Sequence, residues 1–270
     1  MAQTLKFGNG TWATKKGSTL AYNDEDGNYK PLPFATTRST SATRVNKQGL
    51  IEVVTNNKPR VDYTDSAKGV LLLEPQRTNS ITYSEDFSNA AWTKTGSSVT
   101  SGFVSPKGDL SAFKLVESAT TSTHQTYVVR SAVGNDYTFS VFIKKGEREF
   151  VSISLTDSVH YLTQYTFDLT NGVLTDSYDR AGVTSEFTSV ELYNGWYRIV
   201  LSSNYAFNTL VFGRIYTEET ATPPTVPANS YVGNGTSGVY IYGAQLEQAS
   251  YPTSYIPTQG SAVTRVAETA

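Results

Sequence analysis

The sequence predicts an all-β chain: two packed antiparallel sheets, with a short N-terminal arm in front of them. Three observations carry this. The first is composition: the 270 residues include 18 Tyr and 12 Phe but one Met, and Ser and Thr are abundant. Aromatic and β-branched residues suit a pleated, half-buried surface, and the chain lacks the Ala, Leu, Glu and Lys richness of helices. The second is an apolar/polar alternation with a period of two, sustained through the middle of the chain. The third is that no helix-period segment exceeds about two turns.

In chain order, residues 1–37 read as an arm. Phe7-Gly8-Asn9-Gly10-Thr11-Trp12 and Asn23-Asp24-Glu25-Asp26-Gly27-Asn28 are turn signals between short strands. Pro31 and Pro33 around Leu32 exclude a helix and a central strand. Such a segment buries little by itself, so it is assigned to attachment or oligomer formation. Residues 38–270 are expected to form the sandwich. Leu50–Val54, Pro59–Tyr63 and Val70–Glu74 read as short strands, and Ser84 to Trp92 as one helical turn capped by Ser84.

Beyond Trp92 the alternation is regular. Tyr137, Phe139, Val141 and Ile143 share one face, as do Val151, Ile153 and Leu155, and Tyr165, Phe167 and Leu169. Asn171-Gly172 is the favoured two-residue hairpin turn. Strands follow at Trp196–Leu201, Leu210–Tyr216 and Val239–Leu246, with a long Pro- and Gly-rich loop over 217–238 and an extended tail over 251–258. Two distant segments look alike: Ser41-Ala42-Thr43-Arg44-Val45 and Ser261-Ala262-Val263-Thr264-Arg265-Val266. They are expected to be equivalent strands that bring the two ends of the body together.

The bulk numbers exclude several classes. There is no cysteine, so disulfide scaffolds, thiolate catalysis and cysteine-bound zinc are excluded. The net charge is −2 with scattered Lys and Arg, which argues against a nucleic-acid partner. No apolar run approaches the ~18 residues of a membrane-spanning helix, and Met1 to Gly10 lacks the apolar centre of a signal peptide.

Residues that could carry catalysis are thinly spread. His124 and His160 are isolated and read as surface or strand residues, and there is no Gly-x-Ser-x-Gly elbow. Glu147 and Glu149 would share a strand face, and a glycosidase needs two carboxylates about 5 to 10 Å apart. Following Lys144-Lys145-Gly146, they read instead as a solvated strand end. Asp24 to Asn28 begins like a calcium loop, but the twelfth position is Ala35 where a bidentate Glu is needed. No catalytic residue, metal ligand or cofactor is therefore expected. What remains is aromatic recognition of sugars, whose C–H faces stack on Tyr and Trp. Tyr161, Tyr193, Tyr205 and Trp92 are the candidate glycan contacts, and Trp196 reads as core. Tyrosines at a protein interface are the competing explanation.

Several segments in order resemble a recurrent unit of bacteriophage virion proteins. They are Arg38-Ser39-Thr40-Ser41-Ala42-Thr43, Gly69-Val70-Leu71-Leu72-Leu73-Glu74-Pro75-Gln76-Arg77-Thr78-Asn79, Tyr83-Ser84-Glu85-Asp86-Phe87 with Trp92, Asn194-Gly195-Trp196-Tyr197-Arg198, and Gly243-Ala244-Gln245-Leu246-Glu247 with Thr253-Ser254-Tyr255-Ile256-Pro257-Thr258. The resemblance covers residues 38–268 and implies an antiparallel jelly-roll β-sandwich, similar to carbohydrate-binding modules and concanavalin-like lectins, of the kind found in head fibres, head spikes and tail appendages. It implies a non-enzymatic virion protein, a homotrimer by analogy with the class. Its residues 1–37 would hold other capsid or tail proteins, and its sandwich would touch host-surface glycans. A purely structural capsid or tail adaptor is the alternative, and a glycan-degrading tail enzyme the third reading. Arg77 and Asn79 are expected to tie loops through hydrogen bonds.

Overall fold

A computed structural model describes residues 3–5, 11–14, 20–24, 26–32, 35–159, 161–207, 209–223 and 229–269. The chain divides into two compact units. One comprises Met1–Thr78 with Thr253–Ile256 and Thr264–Ala270; the other comprises Asn79–Pro252 with Pro257–Val263.

The second unit is the sandwich. One six-stranded sheet has the spatial order Trp92–Thr95, Gln125–Ser131, Leu210–Glu218, Phe150–Thr156, Tyr161–Asp168, Val173–Asp179. The other has the order Ser97–Phe103, Ala112–Glu117, Gly238–Gln248, Tyr137–Lys144, Trp196–Ser203, Ser185–Glu191. All neighbours in both sheets are antiparallel. Successive strands cross repeatedly between the sheets, from Gln125–Ser131 to Tyr137–Lys144 to Phe150–Thr156 and later from Leu210–Glu218 to Gly238–Gln248, which makes the sandwich a jelly roll.

Period-two alternation decides which side chains fill it. Phe139, Val141 and Ile143 from one sheet and Val151, Ile153, Leu155 and Phe167 from the other are buried in one core. Packing there is tight enough to require a glycine. A Cβ placed on Gly213 would fall 2.8 Å from the Phe139 ring, inside van der Waals contact.

Three local expectations are corrected. Ser84 to Ala91 is a run of bends and turns that leads into the strand at Trp92; the one helical element among the described residues is the 3-10 turn Tyr193–Gly195. Ser84 does not cap a helix. Its N–H donates to Thr258 Oγ1 (3.0 Å) and its Oγ accepts from Thr258 N–H (2.8 Å). The hairpin at Asn171-Gly172 spans residues 169–172, because Asp168 pairs with Val173. Its geometry comes from the Asp168 carboxylate, which accepts the N–H groups of Thr170 (2.7 Å) and Asn171 (3.0 Å) and the Asn171 amide (2.7 Å). The segment 217–238 is less open than expected, since Leu210–Glu218 runs into it and Tyr231–Val232 pairs with Thr121–Ser122. Asn79 does tie loops: it donates to Ala244 O (3.2 Å) and accepts from Ile81 and Leu246 N–H (3.1 Å each).

The first unit is a set of short antiparallel ribbons. Gln3–Leu5 and Arg60–Asp62 flank Val70–Leu73, and Leu20–Asn23 lies between Trp12–Thr14 and Tyr29–Pro31. Pro31 therefore sits on an edge strand, where its missing N–H costs no ladder bond. The turn expected over Phe7–Trp12 lies mostly outside the described residues, while the one at Asp24 is closed by its carboxylate, which accepts Asp26 and Asn28 N–H. A small apolar cluster of Leu20, Leu32, Val61 and Leu71 holds these ribbons. The compact unit that contains residues 1–37 thus continues to Thr78 and takes in the C-terminal segment.

A buried polar cluster completes the first unit. Arg60 binds Glu74 (2.9 Å) and Glu268 (Nε to Oε1, 2.8 Å), Arg265 binds Glu74 (2.7 Å), and Arg38 binds Glu268. Ser254 donates to Glu74 through N–H (2.7 Å) and Oγ (2.6 Å). The look-alike segments are both strands, Ala42–Val45 and Val263–Arg265, but they are not equivalent. Ala42–Val45 pairs with Ile51–Val54 and its Arg44 binds Glu52 at the surface, whereas Thr264 meets Thr78 (2.7 Å) and Arg265 is buried on Glu74.

Candidate binding face of the first sheet

The strand Phe150–Thr156 sends Val151, Ile153 and Leu155 into the core, so Ser152, Ser154 and Thr156 lie on the opposite face. Strand register aligns them with partners. One row reads Gln125, Tyr216, Ser152, Thr166, Asp176; the next reads Tyr127, Arg214, Ser154, Gln164, Tyr178. Val129, Phe212 and Thr156 begin a third.

The centre of this face is a floor of small hydroxyls. Ser152 and Ser154 have no exposed area and Tyr216 has 1%. Ser152 Oγ lies 2.8 Å from Thr166 Oγ1. Taller side chains stand half-exposed around it: Tyr127, Phe212, Arg214 and Tyr178. The Arg214 guanidinium lies 4.5 Å from the Tyr127 ring centre and 5.0 Å from that of Phe212. It is oriented by bonds from Nε to Thr156 Oγ1 (3.1 Å) and from one terminal nitrogen to Gln125 Oε1 (3.1 Å). The two rings themselves touch, with centres 6.0 Å apart, so the guanidinium rests against both from one side and keeps its edge polar.

Glu218 closes one end of the floor. It is 1% exposed and accepts from Ser152 Oγ (2.8 Å) and Asn229 Nδ2 (3.0 Å). Loss of water around the carboxyl pushes its pKa up to about 7, against those two hydrogen bonds, and the negative charge of Asp176 pushes the same way.

A second buried network anchors the segment that returns from the 219–230 connection. Glu117 accepts both Nε and a terminal nitrogen of Arg148 (2.7 Å each), Tyr231 OH (2.8 Å) and Asn234 N–H (2.8 Å). Burial opposes its charge, but these hydrogen bonds outweigh burial and hold the carboxyl below the usual range. His124 belongs here too. It is fully buried, not at the surface, its Nδ1 faces Gly96 O and its Nε2 faces Tyr231 O (3.1 Å). His160 lies outside the described residues.

The residues expected to contact sugar fare unevenly. Trp92 is 1% exposed, donates Nε1–H to Tyr83 O (2.8 Å) and packs 4.6 Å from Phe87, so its faces are spent in the core. Its position beside a turn sequence did not reveal that burial. Tyr205 is half-buried, with its hydroxyl on Asp157 (3.0 Å) and its ring edge-on to Phe207 (5.2 Å). Tyr161 opens its strand opposite Thr156, in register with the hydroxyl floor, and Tyr193 opens the 3-10 turn; their side chains lie outside the described part. Trp196 is core, as its sequence setting indicates. Glu147 and Glu149 are about half exposed and pair with Lys114 (2.6 Å) and Lys145 (2.5 Å), as a solvated strand end should.

Arg214, Tyr127, Phe212 and Glu218 were not singled out from sequence. The alternation Phe212, Arg214, Tyr216 was readable, but the neighbours across strands were not. Among the described residues no group of three or more His, Cys, Asp or Glu is placed to hold a metal, and no helix is long and apolar enough to cross a membrane. Neither family models nor curated proteins give a match to this chain.

Proposed function

We propose that this chain is a non-catalytic structural protein of a bacteriophage virion, a capsid fibre, decoration or tail appendage whose β-sandwich binds host-surface glycans. The binding part rests on one observation: Arg214 packed against the adjoining rings of Tyr127 and Phe212, over a row of buried serine and threonine hydroxyls. A sugar is recognised by such a pairing, aromatic surface for its C–H face and the oriented guanidinium of Arg214 for its hydroxyls. The virion part rests on the sequence segments of residues 38–268. Residues 1–37 would attach to other virion proteins, and a cyclic homotrimer would present three weak sites whose joint avidity exceeds that of each.

A glycan array probed with the full-length protein tests this. Binding that is lost in Tyr127→Ala and Arg214→Ala supports the reading. A folded protein that enters virions but binds no glycan would be a structural adaptor instead, and cleavage of a host polysaccharide would replace both with an enzyme.

A further inference from the structure

The sandwich unit contains a cavity that shares no residue with the face above. Its volume is about 540 Å³, within the range of small-ligand sites. Tyr83, Phe113, Pro257 and Leu110 supply an apolar lining; Phe113 is buried at 9% exposure, and Leu110 is 68% exposed at the rim. Glu85, Asp86, Ser101 and Gln259 supply the main polar groups.

The walls are held by the backbone. Tyr83 and Gln259 form an antiparallel bridge, Gly260 N–H donates to Thr82 O (2.7 Å), and Ser84 and Thr258 are doubly bonded. The site is therefore formed before any ligand arrives.

Its lining carries two carboxylates, one of them paired with a lysine outside the lining. No Lys or Arg lines it. Glu85 accepts from Tyr242 OH (2.6 Å) and, at 3.3 Å, from Lys107, which Asp109 shares at the same distance. Asp86 fixes Ser88 through Oδ1 alone (N–H 3.0 Å, Oγ 2.5 Å). The nearby Lys94 donates to the carbonyls of Asn89 (3.1 Å) and Trp92 (2.8 Å), outside the lining, and its charge is felt by Asp86.

We propose that this cavity binds an amino-sugar ring, a hexose carrying a protonated amine. The C–H face of the ring packs on Tyr83 and Phe113, the ammonium meets Asp86 and Glu85, and ring hydroxyls meet Ser101 and Gln259. A neutral hexose fills the same space without the charge-assisted hydrogen bond, and an acidic sugar meets two carboxylates. A simple alkylamine offers the charge but neither the C–H face nor the hydroxyls.

The test is an NMR titration of the full-length protein with glucosamine, glucose, glucuronate and butylamine. Glucosamine should perturb the signals of Tyr83 to Asp86 and of 257–259, and bind about tenfold or more tightly than the other three, the difference a hydrogen bond to a charged group makes. Asp86→Asn, which keeps an acceptor for Ser88, should remove that preference, and Arg214→Ala should leave it intact. The proposal fails if glucosamine binds no better than glucose or butylamine, if its perturbations fall elsewhere, or if Asp86→Asn binds it unchanged.

Discussion

Thr37 and Thr269, 232 positions apart, exchange backbone hydrogen bonds in both directions: Thr37 N–H to Thr269 O at 2.8 Å and Thr269 N–H to Thr37 O at 3.1 Å. The C-terminal segment is thus a structural part of the first unit. Beside this bridge Glu268 serves two buried arginines, Arg38 and Arg60. Removing one member of such a cluster leaves charge unpaired, which costs more than the cluster itself contributes. Glu268→Gln should destabilise the first unit by about 3–5 kcal/mol. Chemical denaturation followed by a probe confined to that unit measures it.

The same cluster predicts acid sensitivity. Burial opposes ionisation of Glu74, but Arg60 and Arg265 outweigh it and hold its carboxyl below its ordinary value of 4.5. A lowered carboxylate pKa means the unfolded chain binds the proton more readily. Its contribution is present above pH 4.5 and is lost as pH falls through the folded-state pKa. Acid titration of the first unit should show this loss, and Glu74→Gln should be less stable at neutral pH and flatter in acid.

Glu218 has the opposite sign. Its folded pKa, about 7, lies above the unfolded value of 4.5, so the folded sandwich binds the proton more tightly. Its contribution is complete below pH 4.5 and declines as pH rises to about 7, by up to about 3 kcal/mol for a shift of this size. Glu218→Gln keeps an acceptor for Ser152 or Asn229 and should flatten the dependence of unfolding free energy on pH across that window. An unchanged slope would mean that the carboxyl stays ionised in the fold.

Two glutamates with arginine or lysine partners should differ sharply. Glu117→Ala leaves Arg148, Tyr231 OH and Asn234 N–H without their acceptor in a buried site, at a cost of about 3 kcal/mol or more. Glu147→Ala breaks a half-exposed pair with Lys114 and should cost no more than about 1 kcal/mol. Paired thermal melts settle the ratio.

Gly213→Ala probes the core directly. The added methyl meets the Phe139 ring at 2.8 Å, so strand and ring must shift, at about 1–3 kcal/mol. A neutral effect would mean the ring has room to turn aside.

Much of the fold was legible because side-chain alternation is local. Phe139, Val141 and Ile143 against Thr138 and Ser140 identify a strand and its inner face without knowledge of its neighbours, and Pro31 keeps its strand out of a sheet centre for the same kind of reason. Burial was less legible. Trp92 follows a turn-rich stretch that reads as surface, yet it packs on Phe87, which in turn meets Phe113 edge-on within the core. His124 looks isolated in sequence and is buried against two distant backbone carbonyls.

The residue order by itself determined that this protein is built from strands, which side chains face inward along each, and that no cysteine chemistry is available to it. The tertiary structure alone decided that Tyr127 and Phe212 come together against Arg214, that Glu218 loses its water, and that the first unit runs to Thr78 and recruits Ser254 and Glu268. The physical reason is range. Alternation is imposed by the geometry of neighbouring peptide units, whereas charge burial and ring stacking depend on which distant strands pair, and pairing is chosen by the packing energy of the whole sheet.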